Sequence, residues 1–166
     1  LGPCTGSDLA NLSMATTFRF NEDATFSRYQ DFYASEDCSD AEAIGTVEVS
    51  GRYSVDNDGA PDAEGGAITL ELNTASVVAR TEAMVNALNT VNFCGRNDYQ
   101  LNTEIGITAG SDDILCPVRD VPDTLYGLYR ENDSEFYINT GGMSSMGQSE
   151  EERPEQLDTE TVYIKQ

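Results

Sequence analysis

Apolar and polar residues alternate along most of this chain, and the one stretch where they do not divides it. Period two places successive side chains on opposite faces of a strand. It runs through residues 16–20 and 24–29 with Asn21, Glu22 and Asp23 as the turn between them, a hairpin signature with aromatic residues on a shared face. It returns in 46–55, where Gly51 marks a bend or bulge, in 68–72, which Val77 and Val78 extend or lead out of, and in 99–107. A second hairpin, 124–130 with 135–139 about a turn at 131–134, and a last strand at 160–165 complete the series. Between them, Met84, Val85, Leu88, Val91 and Phe93 fall close to the i, i+3, i+4, i+7 spacing of an amphipathic helix. Thr81 is placed to cap it, Glu82 stands in the first turn, and Gly95 suits the left-handed residue beyond its end, so the helix is predicted from about Glu82 to Phe93.

Some seven or eight short strands and one helix predict a mainly β fold. Closure into a barrel removes unpaired edges, and sequential hairpins favour an antiparallel up-and-down β-barrel with one packed α-helix over a sandwich. The 166 residues suit one domain, here 13–166, after a flexible N-terminal lead-in, 1–12. Residues 141–156 mix Gly, Ser, Met and Glu without period and read as a long loop.

Charge narrows the functions. Thirty acidic residues against nine basic give −21, which excludes a nucleic-acid surface built on clustered Lys and Arg. No stretch approaches the roughly 20 apolar residues of a membrane helix. There is no histidine, so catalytic triads, His-assisted cysteine nucleophiles and most first-row metal sites are out, and none of the thirty carboxylates is singled out as a catalytic pair. An enzyme is the least favoured class.

Four dispersed cysteines, Cys4, Cys38, Cys94 and Cys116, lack zinc spacing and are candidates for two disulfides, with three pairings open. They point to a secreted or periplasmic protein. Leu1-Gly2-Pro3-Cys4 is similar to the L-x-x-C processing site of bacterial lipoproteins, which would make Cys4 a lipid anchor and leave one cysteine unpaired.

Two segments carry candidate metal chemistry. Met143 and Met146 have the spacing of a soft cuprous site, although two thioethers in a Gly/Ser loop are ordinary loop composition. Calcium takes six to eight hard oxygens, and Asp56-Asn57-Asp58-Gly59-Ala60-Pro61-Asp62 resembles half of a thrombospondin type 3 calcium loop, with Asp56, Asp58 and Asp62 on ligand positions and Ser54 where a further aspartate would stand. The same residue types also make an ordinary hairpin turn.

The order of parts, FRFNEDATF, GRYSV, NFCGRNDYQLNTEIGIT, YGLYRENDSEFYI and RPEQLDTETVYIK, resembles bacterial lipocalin-like (calycin) domains over roughly 14–165, without the family's Gly-x-Trp signature, since the chain has no tryptophan. The resemblance implies a cup that holds a small apolar molecule, with Arg153 acting as the family's late arginine across the closed end. An eight-stranded barrel has an interior just large enough to be filled by side chains or to take one ligand. Phe18, Phe20, Phe26, Tyr29, Phe136 and Tyr137 are the candidate ligand-binding residues, and aromatic residues of this kind equally make a core. The expectation is a non-enzymatic binding protein of the bacterial envelope or secreted fraction, with calcium its one candidate cofactor. The alternative is a structural or adhesive surface protein that acts through its exterior.

Overall fold

The computed structural model describes residues 4–6, 12–38, 43–56, 66–108, 116, 121–131, 135–138, 147, 149–155, 157 and 163–164. Its elements in chain order are β1 (Cys4–Gly6), β2 (Ser13–Phe20), β3 (Thr25–Tyr33), β4 (Gly45–Asp56), β5 (Gly66–Ala79), α1 (Glu82–Val91), β6 (Glu104–Gly106), β7 (Asp123–Glu131), β8 (Glu135–Ile138) and β9 (Tyr163–Ile164). The pairings between these strands are antiparallel, and eight strands follow one path, β1-β2-β3-β4-β5-β7-β8-β9, with β6 beside β5 off that path. The sheet curls as a half-barrel with mostly sequential neighbours and the helix packed against it.

The first hairpin turns where the sequence predicts. Asn21 N–H donates to Thr25 O at 2.9 Å, and the Asp23 carboxylate accepts from both the amide and the hydroxyl of Thr25, at 3.1 and 2.6 Å. Those two bonds hold the Asp23 carboxyl below its ordinary range. Gly51 is the predicted irregularity: Ser50 pairs with Thr74 and Gly51 with Leu72, so Asn73 is left over as a bulge. A Cβ on Gly51 would lie 1.8 Å from Glu71 O, so a side chain cannot fit there. The bulge also changes the phase of β5, which buries Ile68, Leu70 and Leu72 and then Ala75, Val77 and Ala79. The result is a single 14-residue strand, in which Val77 and Val78 extend the 68–72 strand instead of leading out of it.

Thr81 caps α1 as predicted, its hydroxyl accepting from Met84 N–H at 3.2 Å, and Met84, Val85 and Leu88 are buried. The far end differs. Asn92, not Gly95, is the left-handed cap (φ 54), its N–H reaching back to the carbonyls of Leu88 and Asn89, and Val91 is left 40 % exposed. Cys94 and Gly95 then also take positive φ, 48° and 72°, so the chain reverses without continuing the helix. The strand expected over 99–107 shrinks to the three residues of β6. The cause is Asn89: its side chain bonds the Tyr99 amide (2.8 Å) and carbonyl (3.1 Å), supplying the partners a neighbouring strand would supply.

Three residues of the expected flexible lead-in, Cys4–Gly6, are strand β1, paired with β2. The expected loop at 141–156 is described only at 147 and 149–155. There Gly147 bridges Tyr126, a 3-10 turn spans Glu150–Glu152, and Arg153 donates to the carbonyls of Ile68 (3.1 Å) and Gly127 (2.9 Å), tying β5 to β7. Met143 and Met146 lie outside the described residues. No helix among the described residues is long and apolar enough to cross a membrane.

Candidate functional site

Strand register assigns every side chain to one of two faces. Phe26, Val47, Val49, Ile68, Leu70, Val77, Leu125 and Ile138 face inward, and α1 covers part of that face through Met84, Val85 and Leu88. Gly45 admits the helix, since a Cβ there would stand 3.1 Å from Met84. Inside the same face β3 carries two polar side chains, Arg28 and Gln30, both buried. The Arg28 guanidinium lies 6.0 Å from the Phe18 ring centroid, and the Gln30 amide is 3.3 Å from the Met14 sulfur.

The aromatic candidates divide between the faces. Phe18, Phe20, Phe26 and Phe136 gather at one end of the inner side: Phe20 lies 5.9 Å from Phe18, 6.2 Å from Phe26 and 5.2 Å from Phe136 between ring centroids. The contact from β2 to β8 spans the curl of the sheet. Tyr53 and Tyr129 join this group, which the sequence reading left out, although both stand on strands it recognised. Burial, with the charge of Glu131 beside it, pushes the Tyr129 phenol above its ordinary value. Tyr29 and Tyr137 are on the outer face: Tyr29 under Arg19 at 5.7 Å, Tyr137 under Arg130 at 4.6 Å and bonded to Glu135. Alternation requires this, because Phe26 and Tyr29 are three apart and Phe136 and Tyr137 are adjacent.

The outer face holds two grooves over β2 to β6, of about 350 and about 570 Å3, which share Glu48, Ser76 and Glu104. At the first, Thr46 donates to Asp31 (2.5 Å) and accepts from Arg80, so one carboxylate and one guanidinium are held through a single hydroxyl. At the second, Arg96 makes a two-point pair with Asp98 (2.9 and 2.6 Å) and reaches Gly106 O at 3.4 Å. The hydrogen bond from Arg96 holds the Asp98 carboxyl below its ordinary range. Of the residues that line these grooves only Tyr29 was singled out from sequence, as a wall of the barrel interior, because the lining is drawn together from five strands.

Of the calcium candidates, Asp56 ends β4 and is exposed, whereas Asp58 and Asp62 lie outside the described residues. Among the described residues no three His, Cys, Asp or Glu side chains are grouped to hold a metal. The four cysteines form two disulfides, Cys4–Cys38 and Cys94–Cys116. The first ties β1 to the turn after β3, and the second fastens the end of the helix to residue 116. The Cys4 sulfur is thereby taken, so a lipid thioether at that atom is incompatible with this arrangement, and the expectation of an anchor there is corrected. Two disulfides point to an oxidising, extracytoplasmic location.

No protein-family model matches this sequence, and no curated protein matches it significantly.

Proposed function

We propose that this is a non-enzymatic binding or adhesive domain, secreted or periplasmic, that acts through its outer face. The observation that carries the reading is the contrast in filling. Among the described residues Phe26, Ile68, Leu70, Met84, Leu88 and Ile138 are fully buried within the curl, and the two grooves described above lie outside it. Grooves of this size are in the range of small-ligand sites. Incubation with a total lipid extract followed by native mass spectrometry tests it: the expected result is the bare mass, and anilinonaphthalene sulfonate stays dim in the native protein. A stoichiometric lipid adduct overturns it.

That adduct would favour a second reading, the lipocalin-like one, in which a small apolar molecule sits at the aromatic end of the curl. The observation in its favour is that Phe18, Phe20, Tyr53, Tyr129 and Phe136 are only partly buried there. The meander of sequential antiparallel strands with one packed helix also supports it.

A further inference from the structure

We infer that the two outer grooves form one trough that takes a non-anionic saccharide, with Glu48 and Glu104 as its hydrogen-bond acceptors. The inference rests on the outer-face reading and deepens it. Cross-strand partners lay the site out in rows. One row runs Thr17, Tyr29, Glu48, Ser76, Gly106 across five strands, and the next runs Asp31, Thr46, Val78, Glu104. Ser76 and Gly106 give a low floor, and a Cβ built on Gly106 meets nothing nearer than 4.0 Å. Glu48 and Glu104 stand on the strands to either side of β5 and border both grooves.

The acceptors differ in how they are engaged. Asp31 is bonded to Thr46, and Thr46 to Arg80, so these groups hold one another. Beyond the backbone pairing of their strands, the Glu48 and Glu104 carboxylates make no hydrogen bond or ion pair among the described residues. An ionised carboxylate only accepts, so a ligand that satisfies two of them must bring donors. An anionic ligand would meet both carboxylates and Asp31 on a chain of net charge −21, while the three arginines of the lining are already engaged, Arg19 over Tyr29, Arg80 on Thr46 and Arg96 on Asp98. An apolar one would strip water from charged groups without replacing it. A protein partner is disfavoured too, because interface cores are depleted of Glu, Asp and Ser. A sugar ring offers paired hydroxyls to each carboxylate and a flat C–H face to an aromatic ring. Tyr29, with the Arg19 guanidinium 5.7 Å from its ring centroid, is the aromatic side chain that lines the trough.

The test is a printed array of neutral, amino and acidic glycans probed with the intact, disulfide-bonded protein, followed by titration calorimetry with the best neutral or amino oligosaccharide. Binding is expected to neutral or amino glycans and not to oligouronates. Glu48→Ala and Glu104→Ala are each expected to weaken it about tenfold, the size of losing a charge-assisted hydrogen bond. Arg52→Ala, on the outer face away from the trough, leaves it unchanged, and near-native melts of the glutamate variants exclude misfolding. A preference for oligouronates, or affinity retained in the Glu48→Ala/Glu104→Ala double variant, overturns the inference. A blank array with no lipid adduct overturns the saccharide and leaves the outer-face reading standing, whereas a lipid adduct overturns that reading whatever the array gives.

Discussion

The two faces of this sheet are made by alternate residues of the same strands, yet they obey different physics. Inward, Val47 and Val49 join the buried core and disappear from solvent; outward, Thr46, Glu48 and Ser50 of the same strand line a polar trough. Stability should therefore reside in the first set and recognition in the second. A fold arranged this way tolerates charge on its exterior, because a −21 surface costs little where water and salt screen each group. It does not tolerate a void inside.

The largest expected effect breaks the inner face. Leu88 is 0 % exposed at the centre of the helix contact, and Leu88→Ala removes that volume from a packed layer. A loss of about 2–5 kcal/mol in denaturant unfolding is expected, against a change within about 0.5 kcal/mol for Glu48→Ala outside. Equal losses at the two sites would abolish the distinction between the faces.

The next concerns how the helix end is held. Cys94–Cys116 closes a separation of 22 residues, so converting both to Ala frees the unfolded chain by about 3 kcal/mol on the loop-entropy account. The expected outcome is a lower melting temperature with the groove's ligand affinity preserved in the folded protein. Loss of affinity without loss of stability would mean that the covalent tie serves the trough instead of the cover.

How much of this division was legible in sequence follows from what alternation encodes. Hairpin turns, the Thr81 cap and the Gly51 irregularity are local, and each was readable from a few residues. The facing of Tyr29 and Tyr137 was also encoded, since odd spacing from Phe26 and Phe136 puts them outside. Reading them together with those phenylalanines weighed aromatic character over parity. Three features depended on partners far away in the chain. Asn73 shifts the phase of β5 only because it has no opposite number on β4. Asn89 replaces a strand for Tyr99. The trough needs Tyr29, Glu48, Ser76 and Gly106 to become neighbours across the sheet.

A smaller effect sharpens the outer face. The Asp98 carboxyl is depressed by the hydrogen bond from Arg96, with their attraction adding to it. A depressed folded value means that the unfolded state binds the proton more readily, so the pair's contribution is present above the ordinary carboxylate value of 3.8 and lost as pH falls through the lower folded value. The melting temperature of Asp98→Asn should fall slightly below that of the parent near neutrality, and the difference should close in acid. Because both groups are solvent-exposed the shift will be small, and a difference that widens in acid would contradict the assignment.

The smallest expected difference is between two cations. A calcium site at Asp56, Asp58 and Asp62 would bind the native loop and not the unfolded chain, adding about 2.7 kcal/mol at a hundredfold excess over its dissociation constant. Diffuse relief of the −21 surface makes no such distinction between divalent ions. The acidic groups are spread over the outer strands, at Asp31, Glu48, Glu71 and Glu104 as well as Asp56, so screening acts on the whole face. Calcium and magnesium at equal ionic strength are accordingly expected to raise the melting temperature equally, and Asp58→Ala to leave both shifts in place. A rise specific to calcium that disappears in Asp58→Ala would locate a bound ion in the segment after β4, and would make that loop, and not the sheet, the place where this acidic surface is organised.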